Sequence, residues 1–185
     1  DLGPENIRLR AAVIRGDDDL TFGEVRDLTG DVGSALGSVA TSRDGRVLLA
    51  EWKRRKEHGV TIGEVVRIDL ASGARTVVAA ADDAEFGAPV VSADGGLAVV
   101  VRDRISSASE ALDSKLWLID LATGEGRFLA EGWDRWGHPV AFSPDAATLY
   151  VVADEDGAAP IFAIDVATGD VRRLTDTGAH SSVVL

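Results

Sequence analysis

The sequence contains neither cysteine nor methionine, and only one tyrosine and five prolines among its 185 residues. Without cysteine, neither a disulfide framework nor a thiolate metal site can form. Its longest apolar runs extend over about five to seven residues, whereas roughly 20 are needed to span a bilayer. No charged-then-apolar signal segment opens the chain. We therefore expect no membrane partner and a cytoplasmic location. Methionine is absent even at position 1, and the chain stops at Val183-Val184-Leu185 as if in the middle of a strand, so we expect both ends to be internal positions of a longer protein.

Positive charge is also scarce. The chain has 19 Lys and Arg against 31 Asp and Glu, for a net charge of -12. An acidic surface of this kind repels nucleic acids and anionic lipids, which excludes both as expected partners. The hydrophobic fraction of 45% is ordinary for a globular domain, and the length allows one sizeable core or one repeat array.

Two short motifs recur three times in the same order, roughly 50 residues apart. The first reads apolar-Asp-apolar-Ala-Ser/Thr-Gly and occupies residues 68–73, 119–124 and 164–169. The second, a Ser-x-Asp-Gly/Ala turn, lies upstream of each copy at residues 42–45, 92–95 and 143–146. A repeat of this period is typical of β-propellers and related arrays, in which each repeat is one four-stranded blade.

Each copy predicts four short strands separated by turns, with the outermost strand of the third copy alternating between apolar residues and Arg. The predicted strands are 36–40, 47–51, 65–70 and 74–79; 87–91, 97–101, 116–121 and 126–130; and 139–142, 149–153, 161–164 and 171–175. The fold class is therefore an all-β propeller fragment of about three and a half to four four-stranded antiparallel blades. Any helix is expected only within residues 106–111.

The predicted blades divide the chain into five parts: residues 1–31 end one blade, 32–83, 84–134 and 135–180 are whole blades, and 181–185 start a further blade. Propellers usually need four to eight blades, so we expect that this segment does not close into a ring alone. Its open blade edges predict association with another chain, including a second copy.

The loops between the second and third strands vary in length, whereas the spacing from Ile68 to Ser92 and from Ile119 to Ser143 is 24 residues in both cases. The variable loops are predicted at residues 52–61, 102–114 and 154–159. Because insertions in repeat proteins often gather on the binding face, these loops indicate where a partner binds.

No catalytic, cofactor-binding or metal-binding residue is predicted. The acidic runs 17–19 and 154–157 could coordinate Ca²⁺, but they lack the alternating ligand spacing, which favours solvated turns. The three histidines lie in different repeats without metal spacing: His58, His138 and His180. Ser182 shares a strand face with His180, yet no neighbouring carboxylate would orient the imidazole, so we expect no Ser-His catalysis there.

Four other segments have two interpretations each. The basic cluster 53–56 would dock an acidic partner or, as we favour, form a solvated loop tip. The segment from Trp133 to Trp136 would line a site or, as we favour, wedge between stacked sheets. The glycines at 124–126 and 30–37 are predicted to form turns rather than phosphate loops, because no helix follows them.

The whole pattern resembles the PD40-type propeller repeat, most closely through Phe142-Ser143-Pro144-Asp145 and residues 172–176 of the third copy. Ala146, Arg43 and Ala93 depart mildly from it. That repeat occurs in the periplasmic Tol-system propeller and in the N-terminal domain of prolyl oligopeptidase family serine peptidases. Residues 7–13 and 25–29 look like bacterial acylaminoacyl-peptidase or dipeptidyl-peptidase-like sequences.

The resemblance implies a non-catalytic propeller segment that caps and gates the active site of a serine peptidase acting on short peptides. Its partners would be the hydrolase domain of the same protein and the peptide substrates. The catalytic Ser, Asp and His would lie outside this chain, which has no Gly-x-Ser-x-Gly elbow. The alternative is a stand-alone protein-binding propeller of the periplasmic Tol type.

Overall fold

The computed structural model describes residues 9–15, 21–28, 36–56 and 61–181, and these residues form strands, turns and loops without a helix. Strands β1 (Arg10–Arg15) and β2 (Thr21–Asp27) make a two-stranded sheet. Three four-stranded sheets follow, each an antiparallel meander in chain order. The all-β fold and the four-stranded unit are therefore as predicted, while residues 1–8, 16–20, 29–35, 57–60 and 182–185 lie outside the described part.

The three sheets are named blades 1 to 3. Blade 1 comprises β3 (Leu36–Thr41), β4 (Leu48–Arg55), β5 (Thr61–Ile68) and β6 (Arg75–Ala79). Blade 2 comprises β7 (Ala84–Val91), β8 (Leu97–Arg104), β9 (Asp113–Asp120) and β10 (Gly126–Leu129). Blade 3 comprises β11 (His138–Phe142), β12 (Thr148–Val152), β13 (Ile161–Asp165) and β14 (Val171–Arg173).

The second motif, Ser-x-Asp-Gly/Ala, builds the turn between the first and second strands of a blade. In blade 2, the Ser92 hydroxyl donates to Asp94 Oδ1 at 2.6 Å and accepts the Leu97 N–H at 2.9 Å. The residue after the Asp has a left-handed backbone, with φ of 74° at Gly95, which explains the usual glycine. Blade 3 places Ala146 there with φ of 58°, so this departure from the pattern carries backbone strain.

The first motif, apolar-Asp-apolar-Ala-Ser/Thr-Gly, builds the turn between the third and fourth strands. Asp120 Oδ1 accepts the N–H groups of Ala122 and Thr123, both at 2.9 Å. Gly124 then takes φ of 77° and closes the turn. Asp69 and Asp165 make the same two bonds in blades 1 and 3. Such local side-chain-to-backbone bonds explain why Asp and Gly recur at these positions.

The core lies between the sheets rather than within one of them. One buried cluster joins blades 1 and 2 through Leu49, Val65, Phe86 and Val100. A second joins blades 2 and 3 through the buried side chains Leu118, Leu129, Phe142, Leu149 and Ile164. The first strand β7 contacts the first strands β3 and β11 on either side, so these three strands form the inner side of the stack and β6, β10 and β14 form its outer side. Burial on both faces explains the apolar runs in the second strands.

Several strands are longer than predicted. Strand β4 continues to Arg55 and β8 to Arg104, so much of the predicted 52–61 and 102–114 loops is strand. Polar residues suggested loops, but cross-strand ion pairs keep the strands paired: Arg54 Nε lies 3.1 Å from Glu64 Oε2 on β5. The predicted loop boundaries at these two places were wrong for that reason.

Candidate functional site

Each meander places its connections on two opposite faces. The turn face carries the motif turns, which are short and tied by their aspartates. The loop face carries residues 105–112, residues 153–160, the linkers between blades at 80–83 and 130–137, and residues 174–180 after blade 3. Every residue from 105 to 112 is exposed. The loop is held at its base by the Ile105 N–H, which donates a hydrogen bond to Asp83 O at 2.9 Å. The loop face therefore has the accessible and variable surface that a partner would contact.

Most described ion pairs lie at or near the loop face. Blades 1 and 2 contribute Lys53–Glu51, Lys53–Glu85, Arg54–Glu64, Arg54–Asp82, Lys56–Asp82, Arg102–Asp83, Arg104–Glu110 and Lys115–Asp113. Blade 3 contributes Arg135–Glu155 and Arg173–Glu155. Exposed pairs each contribute about 0–1 kcal/mol to stability, so their main effect is to orient the loops and linkers.

The basic cluster is not the solvated loop tip that was predicted. Lys53 and Arg54 belong to β4, and Lys56 follows that strand directly. The Lys56 ammonium donates to Asp82 O at 2.9 Å and lies 3.3 Å from Asp82 Oδ1, which fastens β4 to the linker before blade 2. These cations are paired within the chain, so they offer little free positive charge to an acidic partner.

A carboxylate occupies a niche between the inner strands of blades 1 and 2. Glu51 on β4 accepts the Ser38 hydroxyl at 3.1 Å and lies 3.2 Å from the Lys53 ammonium. A Cβ at Gly37 or Gly87 would lie 2.5 or 2.9 Å from its carboxylate, so the two glycines create the space. Sequence reasoning missed this niche, although Glu51 stands where the equivalent residues of blades 2 and 3 are valines.

The acidic run 154–157 forms a tight turn, as predicted. Asp156 and Gly157 both have positive φ, 51° and 79°, and Glu155 and Ala158 exchange main-chain hydrogen bonds. Glu155 is nevertheless not a free surface acid, because its two oxygens lie 3.1 Å from Arg135 and 2.6 Å from Arg173. This pairing joins the linker before blade 3 to the outer strand of the same blade.

The two tryptophans of the 133–136 segment differ. Trp133 packs in the core between blades 2 and 3, edge to face with Phe162 at 4.9 Å, which confirms the predicted wedge. Trp136 is 61% exposed, so the same prediction was wrong for it. Ile105 and Leu112, at the base of the long loop of blade 2, are also exposed. Trp136, Ile105 and Leu112 are therefore large apolar side chains that the loop face presents to solvent.

The structure does not bring the titratable candidates together. His138 starts β11 and His180 follows the last described strand, while His58 and Asp17–Asp19 lie outside the described residues. Within residues 9–15, 21–28, 36–56 and 61–181, no group of three His, Asp or Glu side chains could hold a metal ion. Ser182 is also outside this part, so the absence of a Ser-His pair stays a prediction.

Hydrogen bonds hold the pKa of each turn aspartate below its ordinary value. For Asp94 the largest cause is the Ser92 hydroxyl, followed by the Gly96 N–H. For Asp120 the main donors are the Thr123 and Ala122 N–H groups. Desolvation opposes these effects in both cases. Groups with lowered pKa values are acceptors of structural bonds and are poorly suited to proton transfer near neutral pH.

A groove of about 560 Å³ lies between blades 2 and 3 on the turn face. Leu97, Leu118 and Val166 line it, and the Arg127 guanidinium lies along it and donates to Val166 O. The aspartates at its rim are engaged in the motif turns. Of these polar groups, Arg127 joins the two blades, while the aspartates close turns within their own blades.

No family model matches the chain. A stretch of 89 residues, 48% of the chain, is 29% identical to the uncharacterized peptidase YuxL of Bacillus subtilis (strain 168). This chain covers 13% of that relative's length.

Solved structures match over most of this chain. Puromycin hydrolase superposes with a TM-score of 0.63 at 22% identity, covering 94% of this chain and 25% of that one. TolB from Acinetobacter baumannii superposes with a TM-score of 0.61 at 20% identity, covering 88% of this chain and 38% of that one. The fold is that of a β-propeller. Oligogalacturonate lyase in complex with manganese also matches, with a TM-score of 0.64 at 20% identity, covering 92% of this chain and 52% of that one.

This chain therefore covers between a quarter and about half of the length of these matched structures. Because a hydrolase and a lyase share it, the fold alone does not decide the activity. The resemblance to propellers of peptidases and of TolB is confirmed. No helix of the described residues is long and apolar enough to cross a membrane.

Proposed function

We propose that this propeller segment is a non-catalytic part of a serine peptidase that caps and gates the active site of a hydrolase domain. The observation that carries the proposal is the match to a Bacillus subtilis peptidase over 48% of the chain. The fold similarity to puromycin hydrolase supports it. The nucleophile would belong to the hydrolase domain, and this segment would restrict access to short peptides.

The loop face suits the gating role. A gate must keep its shape when a peptide approaches. The ion pairs of Asp82, in the linker before blade 2, and of Glu155, in the loop of blade 3, brace the rim of the blades. It must also contact the domain that it covers, and Trp136 with Ile105 and Leu112 provides exposed apolar surface for that contact. Access would then be limited sterically by residues 105–112, without any chemical step on this segment.

The test uses the intact natural protein that contains this segment. We expect a fluorophosphonate probe to label it, and a Ser→Ala change in a Gly-x-Ser-x-Gly elbow downstream of this segment to abolish labelling. Replacing residues 106–111 by two glycines should raise kcat/KM several-fold for peptides of about ten or more residues. The kcat/KM for dipeptide arylamides should not change. Glu125→Ala on the exposed turn face is the matched control.

Two results would contradict this proposal. An intact protein that the probe does not label has no activated serine, and the peptidase assignment then fails. Equal changes of kcat/KM for long and short peptides after loop replacement would keep the peptidase but reject the gate.

A stand-alone protein-binding propeller is the second candidate, supported by the similarity to TolB over 88% of this chain. It predicts an intact protein without a hydrolase elbow and with a protein partner on the loop face. Trp136→Ala should then weaken partner binding by at least about tenfold, as expected for an exposed aromatic anchor.

A further inference from the structure

Two arginines of outer strands join neighbouring sheets. Arg26 on β2 donates to Leu70 O at 3.3 Å and to Ala71 O, both in the motif turn of blade 1. Arg127 on β10 donates to Val166 O in the same turn of blade 3. In both cases the guanidinium belongs to one sheet and the carbonyl to the next sheet along the chain.

A leucine two residues after each arginine supplies the apolar part of the same junction. Leu28 is 3% exposed and packs in the cluster that contains Leu48 and Trp52 of blade 1. Leu129 is 1% exposed and packs with Leu149 of blade 3. An Arg-x-Leu element on the outer side of a sheet is thus covered by the next sheet at both places.

Blade 3 carries the same element uncovered. Arg172 pairs with Ala163 across the ladder at the position where Arg127 pairs with Leu118. No described residue accepts a hydrogen bond from its exposed guanidinium. Leu174, the counterpart of the buried Leu28 and Leu129, is 38% exposed.

The junction of blades 1 and 2 shows that the element is specific to certain sheets. There Thr76 stands at the arginine position, opposite Arg67 in the ladder. A main-chain bond from the Arg43 N–H to Ala93 O, 3.1 Å long, connects the two blades instead. The arginine is therefore not required at every junction by the repeat itself, and its presence on β14 calls for a specific acceptor.

We propose that the side of blade 3 around Arg172 and Leu174 is the docking surface for a further blade of the same repeat type. The turn before the last strand of that blade would offer a main-chain carbonyl to Arg172, and its core would cover Leu174. A planar guanidinium with several donors suits a pair of turn carbonyls, as Arg26 shows. The chain covers 25% of puromycin hydrolase and 38% of TolB, so matched proteins have ample length for such a blade.

This inference does not depend on the peptidase proposal. Its test compares residues 1–185 with the natural polypeptide extended by about 60 residues beyond Leu185, slightly more than one repeat period. Each form carries Arg172→Gln or Leu174→Ala. The matched controls are Arg127→Gln and Leu129→Ala, whose contacts exist within the described structure.

We expect the controls to lower Tm in both forms. Leu174→Ala should lower Tm by at least about 4 °C in the extended form, as for a buried leucine, and by less than about 1 °C in the 185-residue form. The extension should also slow amide exchange in β14 at least about tenfold.

Equal Tm effects of Leu174→Ala in the two forms, or unchanged exchange in β14, would overturn the proposal. So would a reading frame that stops at Leu185. If sedimentation shows that the 185-residue form dimerises and Leu174→Asp makes it monomeric, a second copy is the occupant and the proposed blade is rejected.

Discussion

The Ser92 turn offers a sharp test of how the repeated motif stabilises a blade. Ser92 is fully buried, and its hydroxyl both donates to Asp94 and accepts the Leu97 N–H. Ser92→Ala removes both bonds while keeping the size of the side chain nearly constant. The perturbation is therefore confined to hydrogen bonding, with little change in packing.

The magnitude follows from the amide that loses its acceptor. The Leu97 N–H begins β8 in a partly buried position and would be left without a partner. An unsatisfied buried amide costs roughly 1–3 kcal/mol. The same turn holds blade 1 through the bond from the Arg43 N–H to Ala93 O, so the junction is weakened as well. We expect a loss of about 2 kcal/mol in the free energy of unfolding, or about 4–8 °C in Tm.

The pH dependence gives a second readout. The Ser92 hydroxyl is the largest cause of the lowered Asp94 pKa, whose ordinary value is 3.8. Because the folded-state pKa lies below the unfolded one, this stabilisation is complete above pH 3.8 and is lost as the pH falls through the folded-state pKa. The stability difference between wild type and Ser92→Ala should therefore shrink in acid.

Urea unfolding at several pH values, followed by circular dichroism, measures both effects. Ser109→Ala, in the exposed loop of blade 2, is the control and should stay within about 0.5 kcal/mol of wild type. A Ser92→Ala protein as stable as wild type at neutral pH would refute the reasoning. A difference that is the same at pH 3 and pH 7 would refute the part that concerns Asp94.

Three further predictions concern other parts of the chain. Ala146→Gly should stabilise the protein by about 0.5–1 kcal/mol, because glycine adopts the positive φ of this turn without strain; a lower unfolding midpoint in urea would contradict this. Gly137→Ala should destabilise it by roughly 1–3 kcal/mol, because the new Cβ would lie 2.8 Å from Trp133 and Val151 atoms; calorimetry that shows an unchanged Tm would reject that packing. The 185-residue chain alone should neither hydrolyse aminoacyl arylamides nor bind a fluorophosphonate probe, and stoichiometric labelling that is lost in Ser182→Ala would place the chemistry in the propeller.

Local chemistry made the blade predictable from the sequence. The motif turns are closed by bonds between residues two to five positions apart, such as Asp120 to Ala122 and Ser92 to Leu97. Bonds of this range leave a recognisable residue pattern, so the turns, the four-stranded unit and the number of repeats could be inferred. The variable length of the loops between second and third strands likewise distinguishes the loop face from the turn face in the sequence.

Contacts between blades decided the rest. Glu51 lies beside Gly87, and Arg127 binds the carbonyl of Val166, in each case across a sheet junction. Nothing near these residues in the sequence records such partners. For the same reason the local pattern predicts a loop at the basic cluster and the same role for Trp133 and Trp136, although Trp133 is packed and Trp136 is exposed. The sequence determined each blade through short-range hydrogen bonds, and the stacking of blades decided which charged and aromatic side chains are paired, buried or left open for a partner.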